Sequence, residues 1–116
     1  MYSDNVIVSK SKQFAIRIIH LYQFLVDNKR EHILSKQLLR SGTGIGANVK
    51  EAIRGQSKAD FYAKMFIALK EASESEYWLE LLQETGYIYD DDFDSIYSDC
   101  QEIIKILVSI TKTRSN

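Results

Sequence analysis

Residues 61–82 carry apolar or small side chains at Phe61, Met65, Ala68, Ala72, Ser75, Leu79 and Leu82. The intervals run 4-3-4-3-4-3, so all seven share one face of an α-helix. No other feature narrows the possible folds as much, because the pattern recurs on three more segments. Over 9–28, Phe14, Ile18, Leu21 and Leu25 are spaced 4-3-4. Over 33–55, Leu34, Leu38, Ser41, Ile45, Asn48 and Ala52 are spaced 4-3-4-3-4. Over 91–112, Phe93, Ile96, Cys100, Ile103, Leu107 and Ile110 are spaced 3-4-3-4-3. With the third helix set at 58–85, short polar connections join the four. A seam near 3.5 residues on each predicts an all-α, antiparallel up-down four-helix bundle. At 116 residues it reads as one domain spanning 1–116. A coiled-coil hairpin dimer fits less well, since each helix has apolar residues beyond one seam.

Punctuation agrees with the periodicity. The chain has no proline, where average usage gives about six. Proline removes a donor and clashes with the preceding turn, so its absence suits near-continuous helix. Ser9 or Ser11 is placed to cap the first helix and Ser57 the third. Gly86 stands where a left-handed terminator belongs. Asp90, Asp91 and Asp92 put negative charge at the positive dipole end of the fourth helix. The tail TKTRSN is expected to fray. No run of about 18 apolar residues is present, so no membrane span is expected. The start, MYSDNVIVSKSKQ, lacks a basic segment followed by an apolar one, so a secretory signal is not expected. Cys100 falls on the apolar seam and reads as a buried, inert thiol. A cytoplasmic protein is the expectation.

The net charge of −1 hides an asymmetry. Residues 1–58 carry ten Lys/Arg and four Asp/Glu, while residues 59–116 carry five and twelve. A basic half and an acidic half result, able to attract within or between subunits.

The stretch SGTGIGANVKEA (41–52) has three alternating glycines. A dinucleotide-binding turn needs G-x-G-x-x-G after a strand, and a P-loop needs Gly-Lys-Ser or Gly-Lys-Thr. Here the spacing is G-x-G-x-G, the preceding HILSKQLLR is helical in pattern, and the run ends in Gly-Ala-Asn. Both nucleotide readings fail. The seam of Leu34 and Leu38 resumes in phase at Ile45, Asn48 and Ala52, so the glycines lie inside the second helix. Gly42 and Gly46 share a face, as small residues do where helices approach closely.

LSKQLLRSGTGIGANVKEAIRGQSKADF followed by MFIALKEASESEYWLELLQETGYI resembles the small bacterial four-helix proteins of the 23S ribosomal RNA intervening-sequence family. The likeness covers residues 14 to about 110, and RSGTGIGANVKEA with ALKEASESEYWLELL carries its specificity. Gly44 departs from it, since relatives usually have serine there. The resemblance implies an up-down bundle and, in relatives, a homopentameric ring. It also implies an association with nucleic acid, because a relative in diversity-generating retroelements assists a reverse transcriptase and binds nucleic acid through a basic surface. It attaches no catalytic residues.

Three groups of residues are candidates for function. With the second helix's seam at heptad positions a and d, Lys36 and Lys50 fall at f, and Arg40 and Arg54 at c. Together with Arg17 and Lys58, and with Lys29 and Arg30 nearby, they form a candidate phosphate-contacting ridge for RNA. The plain alternative is a solvated face, and no aromatic residues interleave for base stacking. Ser41 and Asn48 on the seam need polar partners, and Glu71, Ser75 and Glu76 of the third helix stand at a matching level. Asn48 and Glu51 belong to the family motif, which favours a structural polar network over a ligand site. Phe66, Ile67, Tyr77, Trp78 and Leu81 give the third helix apolar surface beyond its seam, a candidate oligomer interface. A central, fully packed third helix is the alternative. His20 and His32 do not follow a Glu by three, and DDDFD lacks a calcium loop's glycine and glutamate. His20 reads as a partly buried packing residue. No metal, cofactor, small molecule or catalysis is expected. The expected partners are further copies of the chain, as a pentamer, and RNA or an RNA-associated protein.

Overall fold

The structure, a computed structural model, describes residues 2–113, with side chains from Val6 onward. It has four helices: α1 (Tyr2–Asp27), α2 (Leu34–Ile53), α3 (Lys58–Glu84) and α4 (Asp90–Lys112). No strand occurs among the described residues. Each helix packs on its neighbours in the chain, and α4 closes the ring against α1. The direction of packing is readable from individual contacts. Ile18 and Ser11 of α1 lie against Gly42 and Gly46 of α2. Ser41 meets Ser75 of α3, while Glu51 further along α2 meets Lys64 earlier in α3. Tyr97 of α4 reaches Glu80, and Thr113 reaches Tyr62. Lys10 and Arg17 of α1 pair with Glu102 and Asp99 of α4. In every seam one number rises as the other falls, so the bundle is antiparallel and up-down. At 1.5 Å per residue the longest helix spans about 40 Å, which sets the 45 × 21 × 19 Å envelope.

The core follows the seams. Phe14, Ile18 and Leu25 of α1, Met65, Ala68, Ala72, Leu79 and Leu82 of α3, and Ile96, Cys100, Ile103, Leu107 and Ile110 of α4 are buried. Burying a Leu- or Ile-sized side chain stabilises by about 1.5–3 kcal/mol, so this stripe holds the fold against the chain entropy.

Three local details differ from the sequence expectation. α1 begins at Tyr2 rather than near residue 9, because Ile7 and Ser11 continue the seam of Phe14 and are buried themselves. Ser11 is therefore not a cap; its hydroxyl donates to the carbonyl of Val8. On α2 the buried set is Ser35, Leu38, Ser41, Gly42, Ile45, Val49 and Ala52. The inward face has rotated toward α1, which comes close where Gly42 lies against Ile18. Finally, Thr111 is buried inside α4, so the expected fraying does not include it. The end of that tail, residues 114–116, lies outside the described residues.

Helix ends are held by distinct devices. Glu31, itself buried, accepts hydrogen bonds from the N–H groups of Ile33, Leu34 and Ser35 at 3.2, 3.0 and 2.6 Å. A carboxylate there satisfies three otherwise orphaned donors at the positive end of α2. Ser57 caps α3 by accepting from Asp60 N–H. Gly86, at φ +86°, ends α3 in the left-handed conformation. The first turn of α4 carries Asp90, Asp91 and Asp92, with no side-chain cap bond at Tyr89.

Candidate nucleic-acid and self-association surfaces

The six proposed phosphate contacts do not form one ridge. Arg40 turns across the seam to Glu71 at 3.3 Å and to Glu74 in a shorter contact. Its hydrogen bond to Glu74, ahead of the opposing effect of burial, raises its pKa further. Arg17 is held at 2.6 Å by Asp99 of α4. Lys36, Lys50, Arg54 and Lys58 are exposed. None of these four forms an ion pair among the described residues. Lys36 sits near the start of α2 and is separated from the rest by the neutralised Arg40. Lys50 and Arg54 line a shallow open groove at the α2–α3 turn, together with Gln56, Lys64, Glu51 and Asp60. Cationic surface is thus gathered at that turn, diluted by Glu51, which pairs with Lys64 at 2.9 Å.

The proposed polar network is smaller than the sequence suggests. Ser41 and Ser75 are buried and share a 2.8 Å hydrogen bond. Each hydroxyl also lies near a carbonyl of its own helix, Leu38 for Ser41 and Glu71 for Ser75. Asn48 is not a buried seam residue: it is half-buried on the α3 side and donates to the carbonyl of Gly44 in its own helix at 2.8 Å. The rotation of α2 toward α1 displaces it. Glu51 is exposed and bound to Lys64, and Glu71 is bound to Arg40. Glu76 belongs to the opposite flank of α3. There it faces α4, raising the pKa of Tyr97 and of Cys100 after the larger effects of the Glu80 hydrogen bond and of burial respectively.

The apolar surplus of α3 divides in two. Phe66, Ile67 and Tyr77 are exposed at 40, 39 and 54 %. Trp78 and Leu81 are half-buried, with Trp78 packed against the core and its indole N–H buried without an acceptor. A second exposed apolar group lies on α1: Val8, Ile16 and Ile19. Sequence reading missed it, although Ile16 and Ile19 fall visibly off the Phe14–Ile18 stripe.

Little else in the molecule suggests chemistry. His20 is exposed rather than packed. It lines a cleft of about 280 Å³ with Arg17, Leu21, Phe24, Ile88 and Tyr89 among others, just below the range of small-molecule sites. Cys100 donates to the carbonyl of Ala72, and burial pushes its thiol up to about 12, so it stays protonated at neutral pH. Among the described residues no three His, Cys, Asp or Glu side chains converge as metal ligands. Among the described residues no helix is long and apolar enough to cross a membrane.

Comparison with known proteins agrees with this architecture. The family model described as 23S rRNA-intervening sequence protein matches residues 3–109. A crystal structure of an S23 ribosomal protein family member of unknown function, from Bacteroides thetaiotaomicron VPI-5482, superposes with a TM-score of 0.93. It is 56% identical, covering 95% of this chain and 98% of that one. No curated protein matches the chain.

Proposed function

The chain belongs to the 23S rRNA-intervening sequence protein family, and from that premise we propose that it is a non-enzymatic, homo-oligomeric scaffold. It holds RNA, or a protein that works on RNA, against an assembly of four-helix bundles. Five copies is the number the family resemblance implies. The observation that carries this reading is the exposed apolar group on α3, Phe66, Ile67 and Tyr77. Contiguous exposed apolar groups of this kind mark interfaces. The solution mass tests it: a multiple of 13.4 kDa supports the proposal, and the monomer mass overturns it.

Direct RNA binding is the second reading, favoured by Lys50, Arg54 and Lys58 around the α2–α3 turn, exposed and without an ion pair among the described residues. The cations to reverse are these, since Arg40 is already neutralised within the molecule. Lys50→Glu with Arg54→Glu weakens binding and lowers the slope of log affinity against log salt by about two. Absence of wild-type binding to RNA at low salt rules this reading out.

A further inference from the structure

We infer that the cleft between α1 and the start of α4 is a docking site for an arginine side chain of a partner protein. The inference goes beyond the oligomeric reading, because every residue that lines the cleft comes from one chain. Ile33 and Tyr89 are the most exposed large apolar residues among those described, at 76 and 62 %. Both stand at one end of the bundle, Ile33 just before α2 and Tyr89 just before α4. Neither belongs to the core or packs against it, and Tyr89 lines the cleft.

Tyr89 occupies a position that other residues fill better. It is the N-cap of α4. Ser, Thr, Asp and Asn are preferred there, because their side chains accept from the free N–H groups of the first turn. Tyr89 makes no such bond. Its ring stands instead against Phe24, with centroids 6.3 Å apart and planes at 54°. The two rings form a bent aromatic wall. Lys29 Nζ lies 5.0 Å from the Tyr89 centroid, so this ring already receives one cation of its own chain. A local preference set aside with no gain to the core is what a functional position looks like.

The cleft selects the ligand by size, floor and charge. At about 280 Å³ it suits one long side chain rather than a drug-sized molecule. Its floor is apolar, with Ile88 and Ile96 buried and Leu21 and Phe24 half-buried. At the rim Asp92 is exposed and forms no ion pair among the described residues. Arg17 lines the same cleft, but Asp99 holds it at 2.6 Å and offsets its charge. Asp90, Asp91 and Asp92 of the first turn stand against Lys29 and the half positive charge of the helix end, which leaves a net of about −1.5. A cation is therefore favoured and an anion repelled. Arginine meets all three demands. Its stem lies along the apolar floor, its planar guanidinium stacks on an aromatic face, and its fork of N–H donors matches the Asp92 carboxylate. A lysine ammonium has neither the plane nor the fork.

Nuclear magnetic resonance of the isotope-labelled full chain, titrated with the peptide acetyl-Leu-Arg-Leu-amide, tests the site. Signals of Tyr89, His20 and Ile96 move, and the analogues with lysine or uncharged citrulline in place of arginine bind about tenfold more weakly or worse. Asp92→Asn is a conservative change at an exposed position and weakens the arginine peptide by about tenfold. Tyr89→Ser supplies a capping side chain, keeps the wild-type helix content by circular dichroism, and loses binding. Equal binding of the citrulline peptide, or binding untouched by Asp92→Asn, overturns the inference. So does a short RNA oligonucleotide that moves these signals when the peptide does not. If Asp92→Asn lowers the mass of the protein in solution, a second copy fills the cleft and the inference fails, while the oligomeric reading stands.

Discussion

Gly42 and Gly46 stand one turn apart on the same face of α2, yet they answer to opposite demands. A Cβ on Gly42 meets Ile18 Cγ1 and Cγ2 at 2.8 Å. Ile18 is fully buried and β-branched, so it has little room to turn aside. Gly42→Ala is expected to destabilise by about 1–3 kcal/mol, even though alanine is the better helix former by about 1 kcal/mol. A Cβ on Gly46 has Ser11 Oγ at 3.4 Å and its backbone at 3.5–3.6 Å, ordinary contact distances. Gly46→Ala should therefore stabilise by about 0.5–1 kcal/mol. Urea denaturation of the two variants checks the pair, and equal effects would refute the close approach of α1 at Gly42. Much of this was readable from the sequence: the unbroken seam across the glycines put them in a helix, and the four-residue spacing put two on one face. The difference between them was not, because it depends on which residue of α1 stands opposite each.

At the scale of the helix, two end devices carry definite consequences. Burial acts to raise the pKa of Glu31, but the backbone N–H groups of Leu34, Ser35 and Ile33 outweigh it and hold the carboxyl below its usual value. A group whose folded pKa is depressed contributes stability above its unfolded pKa, near 4.3, and loses it as pH falls through the lower folded value. Glu31→Gln should cost about 1–2 kcal/mol at pH 7. The gap to wild type should narrow below about pH 4 in thermal melts, and a gap that persists unchanged in acid would remove the charge from the explanation. Gly86 has nothing within 4 Å of a built Cβ but holds φ at +86°. Gly86→Ala is therefore a pure backbone penalty of about 1 kcal/mol, with no packing defect. The existence of each helix was legible from periodicity, and Ser57 and Gly86 as its punctuation. The start of α1 was not, because Ser11 looked like a cap, whereas it lies inside the helix against Gly46 with its hydroxyl on the Val8 carbonyl. Nor was the phase of α2, where Gly42 admits Ile18 of α1 and Asn48 is left half-buried.

For the whole molecule, the decisive quantity is how charge and apolar surface are distributed once the helices are in place. Heptad positions placed Lys36, Arg40, Lys50 and Arg54 along one side of α2, but a wheel drawn for a single helix has no neighbours on it. Glu71 and Glu74 of α3 claim Arg40, and Asp99 of α4 claims Arg17. Of the six, Lys50, Arg54 and Lys58 stay together around the α2–α3 turn, while Lys36 stands apart near the start of α2. The surplus of apolar residues on α3 was legible only in part, since Phe66, Ile67 and Tyr77 are exposed while Trp78 and Leu81 are half-buried, Trp78 against the core. The central claim is that this surplus is an interface between copies, and light scattering of the purified protein tests it most directly. A mass that is an integral multiple of 13.4 kDa, five-fold if the family's ring is kept, is the predicted result, and a single 13.4 kDa species across the concentration range would contradict it.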